Sequence, residues 1–410
     1  MKMLIKFEFL KILRKKSTLA IMLASLLITA FLFALPVFHF QIYNQNGVIK
    51  GLEGIAYEKA QFADLPAELT DEYVAEAIRE VQALFENPEN VGYDGNERFL
   101  INEAYWHGIA PREELLNMIA SVYAAPNQSV GYNYLADIDL SENLSFSEAR
   151  EKKIEAVLNT PSRELSEEEK AYWSCLNDKV DMPFQYGYHE GWKAIMTAFE
   201  LLMISILAIC IAVAPVFSGE YQAGTDAVIL SAKYGKTKLI NAKIIAAILF
   251  GMIAFTAHIA VAFGISLAAF GLEGGNLPLQ LLGMTIPYPF TMMQAAVINL
   301  GIIYFILLAM IGLTLLLSAK MKNPYLILAV LVPVLFAPMF ISPNGITGVY
   351  NLALFLLPYR AAMPEVGKYI SYQFGSLVLD AFSVRAILYA VLSLVTLPLA
   401  KISFKKHQVS

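Results

Sequence analysis

The chain contains a series of apolar runs near the length of a bilayer-crossing helix. They are Leu19–Phe40, Ala194–Phe217, Ile244–Phe270, Met292–Ser318, Tyr325–Ile341 and Ala386–Leu399. A helix needs about 20 such residues to cross the hydrocarbon core. Charged residues make up only 16% of the sequence, against about 25% in soluble domains. That deficit excludes a water-soluble enzyme and a disordered chain. A cleaved signal peptide is the rival for the first run, since basic residues precede it. The run exceeds the 7–15 apolar residues of a signal peptide and lacks a small-x-small cleavage site, so an uncleaved anchor is expected. The expected spans are 19–40, 193–217, 244–270, 292–318, 325–341 and 386–404.

The charge is unevenly spread. Residues 41–192 hold 28 of the 35 acidic residues and 11 of the 30 basic ones, a local balance of 11 − 28 = −17. This reads as one acidic, water-facing insert between the first two spans. With the N-terminus inside, the inner segments 1–18, 218–243, 319–324 and 400–410 carry 15 Lys and Arg against Glu8, Glu220 and Asp226. The short outer loops 271–291 and 342–385 carry only three Lys and Arg, namely Arg360, Lys368 and Arg385. By the positive-inside rule both termini are cytoplasmic and the insert is extracytoplasmic.

The insert reads as mainly helical. Thr70 and Asp71 open a helix with Val74, Ile78, Val81 and Phe85 on one face, and Asn87-Pro88 stops it. Pro111 suits a first helical turn before Leu115, Met118, Ile119 and Val122, with Pro126 beyond the end. Ser147 is the expected cap of a helix holding Ile154 and Val157. Ser166 and Glu169 have capping-box spacing. No sustained alternation marks a sheet. Asn127-Gln128-Ser129 and Asn143-Leu144-Ser145 fit the glycosylation pattern, which is too common to carry weight.

No catalytic motif is complete. Gly235-Lys236-Thr237 resembles the end of a P-loop, but Leu230 stands where its first glycine belongs. His189-Glu190 begins a zinc-protease pattern, but Lys193 stands where the second histidine belongs. Gly264-Ile265-Ser266 begins a nucleophile elbow that Ala268 fails to close. With five histidines and two cysteines, Cys175 and Cys210, neither a metal site nor a disulfide framework is expected. The net charge of −5 argues against nucleic-acid binding. The expectation is therefore no catalytic, metal or cofactor residue in this chain.

The segment 218–243 is more informative. Thr225 is the expected N-cap of a helix of about nine residues, with Asp226 at its positive end. Val228, Ile229 and Ala232 form a small apolar face, Lys233 suits the last turn, and Gly235 can end it in the left-handed conformation. Thr237 can cap the helix leading into the third span. A short helix held between two spans can act as a lever, although a plain tight connector has the same local sequence.

These residues resemble the permease subunit of ATP-binding-cassette transporters of the type-2 exporter superfamily. Phe217, Glu220, Gly224, Thr225 and Leu230 match its pattern of an acidic residue followed by Gly-Thr after the second span, and Lys238 or Lys243 matches a lysine near the third. Tyr221 and Ala232-Lys233 depart from the Arg and Pro that many members carry. The resemblance covers the chain outside 41–192. It implies an all-α polytopic membrane protein of six transmembrane helices with an extracytoplasmic insert. It also implies a pair of permease chains, identical or not, in a bacterial plasma membrane. Each chain would be gripped at a 220–234 coupling helix by a soluble ATPase that binds ATP and Mg. Phe217, Glu220, Gly224, Thr225, Leu230 and Lys233 are the implied coupling residues, and export is the implied direction.

Other features leave alternatives open. In residues 2–16, Ile5, Phe9, Ile12 and Leu13 oppose Glu8, Lys11 and Lys15, with Lys6 inside the apolar sector. This suits a helix on the inner lipid surface or a basic topogenic flank. Glu200, two turns inside the second span, lines a substrate path or dimer seam unless the span starts later. His258 is a helix-packing histidine or a proton relay. Pro215, Pro333 and Pro338 are candidate kinks. Residues 350–384 form a re-entrant or interfacial helix, or a surface loop. The runner-up function is a membrane-anchored sensor or scaffold whose insert binds a ligand without transport.

Overall fold

The computed structural model describes residues 1–140 and 145–406. Asn143 and Leu144 of the second glycosylation pattern, and tail residues 407–410, lie outside the described residues. The chain opens with helix α1 (Lys2–Leu13) and the first long apolar helix, α2 (Lys16–His39). The insert follows, with α3 (Gly51–Gln61), α4 (Asp71–Glu86), α5 (Asn102–Gly108), α6 (Glu113–Tyr123), α7 (Phe146–Leu158), α8 (Glu167–Asn177) and α9 (Glu190–Met196). The membrane region continues with α10 (Met203–Val213), α11 (Pro215–Gln222), α12 (Asp226–Ser231), α13 (Ile240–Phe270), α14 (Met292–Lys320) and α15 (Pro324–Phe340). The last helices are α16 (Val349–Phe355), α17 (Pro358–Ala361) and α18 (Ala381–Lys405).

Among the described residues, five helical stretches are long and apolar enough to cross a membrane: Lys16–His39, Phe199–Gln222, Gly235–Phe270, Met292–Lys320 and Ala381–Lys405. The expected fifth span, α15, has 17 residues, about 25 Å at 1.5 Å per residue. The expected sixth is longer than its apolar run. It begins at Ala381 because Asp380 caps it, accepting from Ser383 N at 2.9 Å. Arg385, at 0% exposure, is absorbed inside the protein by the carbonyls of Phe355 and Met363. Helices α14 and α18 share the longest seam, and Gly312 permits it, because a Cβ there would overlap the Thr396 hydroxyl.

The insert is helical, as its periodicity predicts. Thr70 accepts from Tyr73 N at 3.2 Å, and Val74, Ala77, Ile78, Val81 and Phe85 form the buried face of α4. Burying each large side chain contributes about 1.5–3 kcal/mol. Ser166 and Glu169 form the expected capping box at α8. The cap of α7 is Ser145 rather than Ser147, in a capping box with Glu148. Ser147 instead donates to Asp71 at the head of α4. The periodicity missed three antiparallel pairs: β1 (Gln41–Asn44) with β2 (Gly47–Lys50), β3 (Glu68–Leu69) with the later β6 (Phe184–Gln185), and β4 (Val91–Asp94) with β5 (Glu97–Leu100). These strands are at most four residues long, too short for alternation to register.

The insert packs onto the connections at one end of the bundle, residues 271–291 and 341–380. Arg150, at 2% exposure, donates to the carbonyls of Met284 and Ile286 at 2.7 and 3.4 Å, and burial lowers its pKa to about 10. Trp173 donates to Ser371 at 3.2 Å and meets Tyr288 and Tyr369 edge-on. Ser371 belongs to a hairpin of β7 (Ser371–Phe374) and β8 (Leu377–Asp380). Residues 350–384 are thus short helices packed on the bundle and a hairpin built against the insert, in place of a single interfacial helix.

Candidate coupling site

The opposite end of the bundle carries a buried ionic cluster. Helix α1 lies along the start of α13 with Ile12 buried and Phe9 packed against the core. Glu8 shares this inward face. It is only 5% exposed, which corrects its expected place on the solvent side of the helix. Its partner is Lys243, at 2% exposure, with Nζ donating to Glu8 Oε2 at 2.9 Å and to Glu220 Oε1 at 2.6 Å. Lys11 also donates to Glu220 Oε1, at 2.6 Å. Two carboxylates and two ammonium groups therefore balance, with Glu8, Glu220 and Lys243 buried and Lys11 reaching solvent. The cluster joins the N-terminal helix, the end of the second span and the start of the third. It borders a cavity of about 500 Å³ that Arg14 and Lys15 also line.

The elbow after Glu220 is tighter than its sequence suggests. Helix α12 has six residues rather than about nine. Thr225 precedes it without capping it, because its hydroxyl donates to Glu220 Oε2 instead. The left-handed glycine is Gly224, at φ +65°, and not Gly235. Gly235 is required for another reason: a Cβ there would overlap the Ile229 carbonyl oxygen. Gly235–Leu239 then forms a π-helical turn into α13, and Thr237 makes no capping bond there. Leu230 is buried, while Val228 is 69% exposed. The ammonium groups of Lys233 and Lys238 lie 5.6 and 4.4 Å from the Tyr234 ring centre.

The other singled-out residues separate from this cluster. Phe217 is fully buried, its ring stacked 4.4 Å from that of Phe404. Its amide and that of Ser218 donate to Ser318 Oγ at 3.1 and 3.0 Å, and Ser318 donates to the Ala214 carbonyl before Pro215. Phe217 therefore belongs to the core between α11, α14 and α18. Glu200 stands in the first turn of its span rather than two turns inside. It lines a cavity of about 620 Å³ at the insert's end of the bundle with Lys193, Arg360 and Glu365. His258 bonds Ser25 Oγ at 2.9 Å and the Ala254 carbonyl at 2.8 Å, tying α13 to α2. No bond joins Glu200 to His258 among the described residues. Glu8 and Lys11 were not expected in this site. A glutamate among apolar neighbours in α1 is the one local signal that could have found them.

A sequence model of the family described as ABC-2 family transporter protein matches residues 3–407. No curated protein and no solved structure matches the chain. With nearly every residue covered by the family model and the long apolar helices in place, the chain belongs to the ABC-2 family of transporter proteins, as a membrane component of an ABC transporter.

Proposed function

We propose that this chain is the permease subunit of an exporter, driven by ATP hydrolysis in separate ATPase subunits that grip the elbow at 220–234. The observation that carries this reading is the ionic cluster of Glu8, Lys11, Glu220 and Lys243. A force applied to α12 reaches the second span through Glu220, the third through Lys243 and the N-terminal helix through both. Exposed Val228 and the Lys233–Tyr234–Lys238 group form the surface offered to an ATPase groove. Leu230 anchors the lever from below, and Gly224 and Thr225 set its angle.

The excess of Lys and Arg at this end supports a cytoplasmic orientation for both termini, with the insert outside in a bacterial plasma membrane and α15 completing six spans. A second copy or a related permease chain supplies the other half of the transporter, and membrane lipid surrounds the exposed apolar faces. ATP and Mg belong to the partner ATPase.

Purification from native membranes in mild detergent tests the reading. Recovery of a P-loop ATPase, stimulated by the wild-type chain and not by Glu220→Ala, is the expected result. Stimulation and copurification both unchanged in Glu220→Ala would remove the elbow from the mechanism.

A further inference from the structure

A second polar cluster lies where the insert meets the head of the second span. A ring nitrogen of His189 and one carboxylate oxygen each of Glu114 and Glu190 lie within 4.8 Å of one another. His189 is fully buried. Its Nδ1 faces the Gly187 carbonyl at 2.8 Å. A carbonyl only accepts, so Nδ1 carries the proton and the lone pair sits on Nε2. Among the described residues Nε2 has no hydrogen-bond partner. Lys193 bridges the carboxylates, at 2.6 Å from Glu114 and 2.8 Å from Glu190, but makes no bond to the imidazole.

We propose that Glu114, His189 and Glu190 bind a divalent transition-metal ion, with zinc the best fit. The donor set is one imidazole and two carboxylates. All-oxygen sites suit calcium or magnesium, whereas an imidazole in the set favours zinc and its neighbours. The Nδ1-to-carbonyl bond is the outer-shell contact that fixes a metal-binding histidine in the correct tautomer. Tetrahedral ligands at about 2.1 Å from zinc lie about 3.4 Å apart, so closing the site takes shifts of about an ångström.

The scaffold around the histidine is close-packed. A Cβ on Gly274 would press on the His189 backbone, and one on Gly191 would overlap the Gly271 carbonyl. Glu114 has more freedom, since it lines the 620 Å³ cavity together with Lys193. That cavity is the entry path and the space into which the displaced Lys193 ammonium moves. Three protein ligands leave a fourth position for water or a ligand group. His189-Glu190 thus works as a ligand pair without the second histidine of a protease motif, because α6 supplies the third donor.

The test uses the full-length protein in detergent, stripped with chelator. Zinc is titrated by calorimetry, metal content is measured after dialysis, and the cobalt(II) form is followed by visible absorption. The expected result is a single zinc per chain, its affinity at least about tenfold weaker in Glu114→Gln. In His189→Ala, zinc and the cobalt bands are both lost. Glu114 is partly exposed on α6, so its variant decides the matter if His189→Ala does not fold. Failure of wild type to bind zinc at micromolar concentration, or affinity unchanged in Glu114→Gln, overturns the site.

Discussion

Lys243 and Glu220 are 23 residues apart in sequence, yet their charged atoms meet at 2.6 Å with both side chains almost fully buried. Breaking such a pair from one side leaves an uncompensated buried charge, at a cost of about 3–5 kcal/mol. Lys243→Met strands Glu8 and leaves Lys11 as the one cation on Glu220, so it is expected to lower the thermal midpoint in detergent more than Glu8→Gln. Adding Glu220→Leu and Glu8→Leu to Lys243→Met should recover much of the loss without restoring ATPase stimulation. Unfolding curves on this series separate stability from coupling.

The two glycines of the elbow differ in what they tolerate. Gly224 has open space around its missing Cβ, so Gly224→Ala meets only the left-handed backbone penalty of about 1–2 kcal/mol. It should fold while shifting the angle of α12, and so reduce ATPase stimulation. Gly235→Ala drives a methyl into the Ile229 carbonyl and should lower the yield of folded protein. Size-exclusion profiles and ATPase assays on both variants distinguish the two effects.

Arg150 addresses two carbonyls from Nε and Nη2. A lysine has one ammonium and cannot reproduce that fork. Arg150→Lys and Arg150→Met are both expected to loosen the insert from residues 284–286. The loss is about 1.5–3 kcal/mol for a charge-assisted bond left unmade. Limited proteolysis should then cut residues 271–291 faster than in wild type.

Glu58 provides a pH test in metal-free protein. Burial first, and then the charges of Glu190 and Glu114, raise its pKa to about 8, with Lys193 opposing. Tyr186 and Tyr188 lie close enough to feel its charge. In the unfolded chain Glu58 ionises near 4.5, so its contribution to stability is fully present below that pH. It declines as pH rises and is gone above about 8. Glu58→Gln should therefore gain a few degrees of thermal midpoint relative to wild type between pH 5 and pH 8, and no more beyond. A flat difference across that range would show that the carboxyl stays ionised in the folded protein.

The sequence was most readable where the determining contacts are local. The Thr70 cap, the Ser166–Glu169 box and the long apolar runs all depend on residues a few positions apart. Glu8 was misplaced because a helical wheel ranks faces by apolarity, and its partner Lys243 lies far away in sequence. Thr225 has the right side chain for an N-cap, but Glu220 draws its hydroxyl away. The hairpin at 91–100 turns on Gly95-Asn96, a two-residue signal that a search for long alternation passes over. Phe217 fits a family pattern, yet its burial against Phe404 is visible only once the last span is packed.

The contacts of Arg150 with residues 284–286 and of Trp173 with Ser371 mean that the lobe built around the insert is assembled from three separate stretches of sequence. Its natural boundary as a transplantable part is therefore not 41–192. A chimera that exchanges only that insert inherits mismatched seats at 271–291 and 371–380. One that exchanges all three together keeps the lobe intact and leaves the charged end of the bundle untouched.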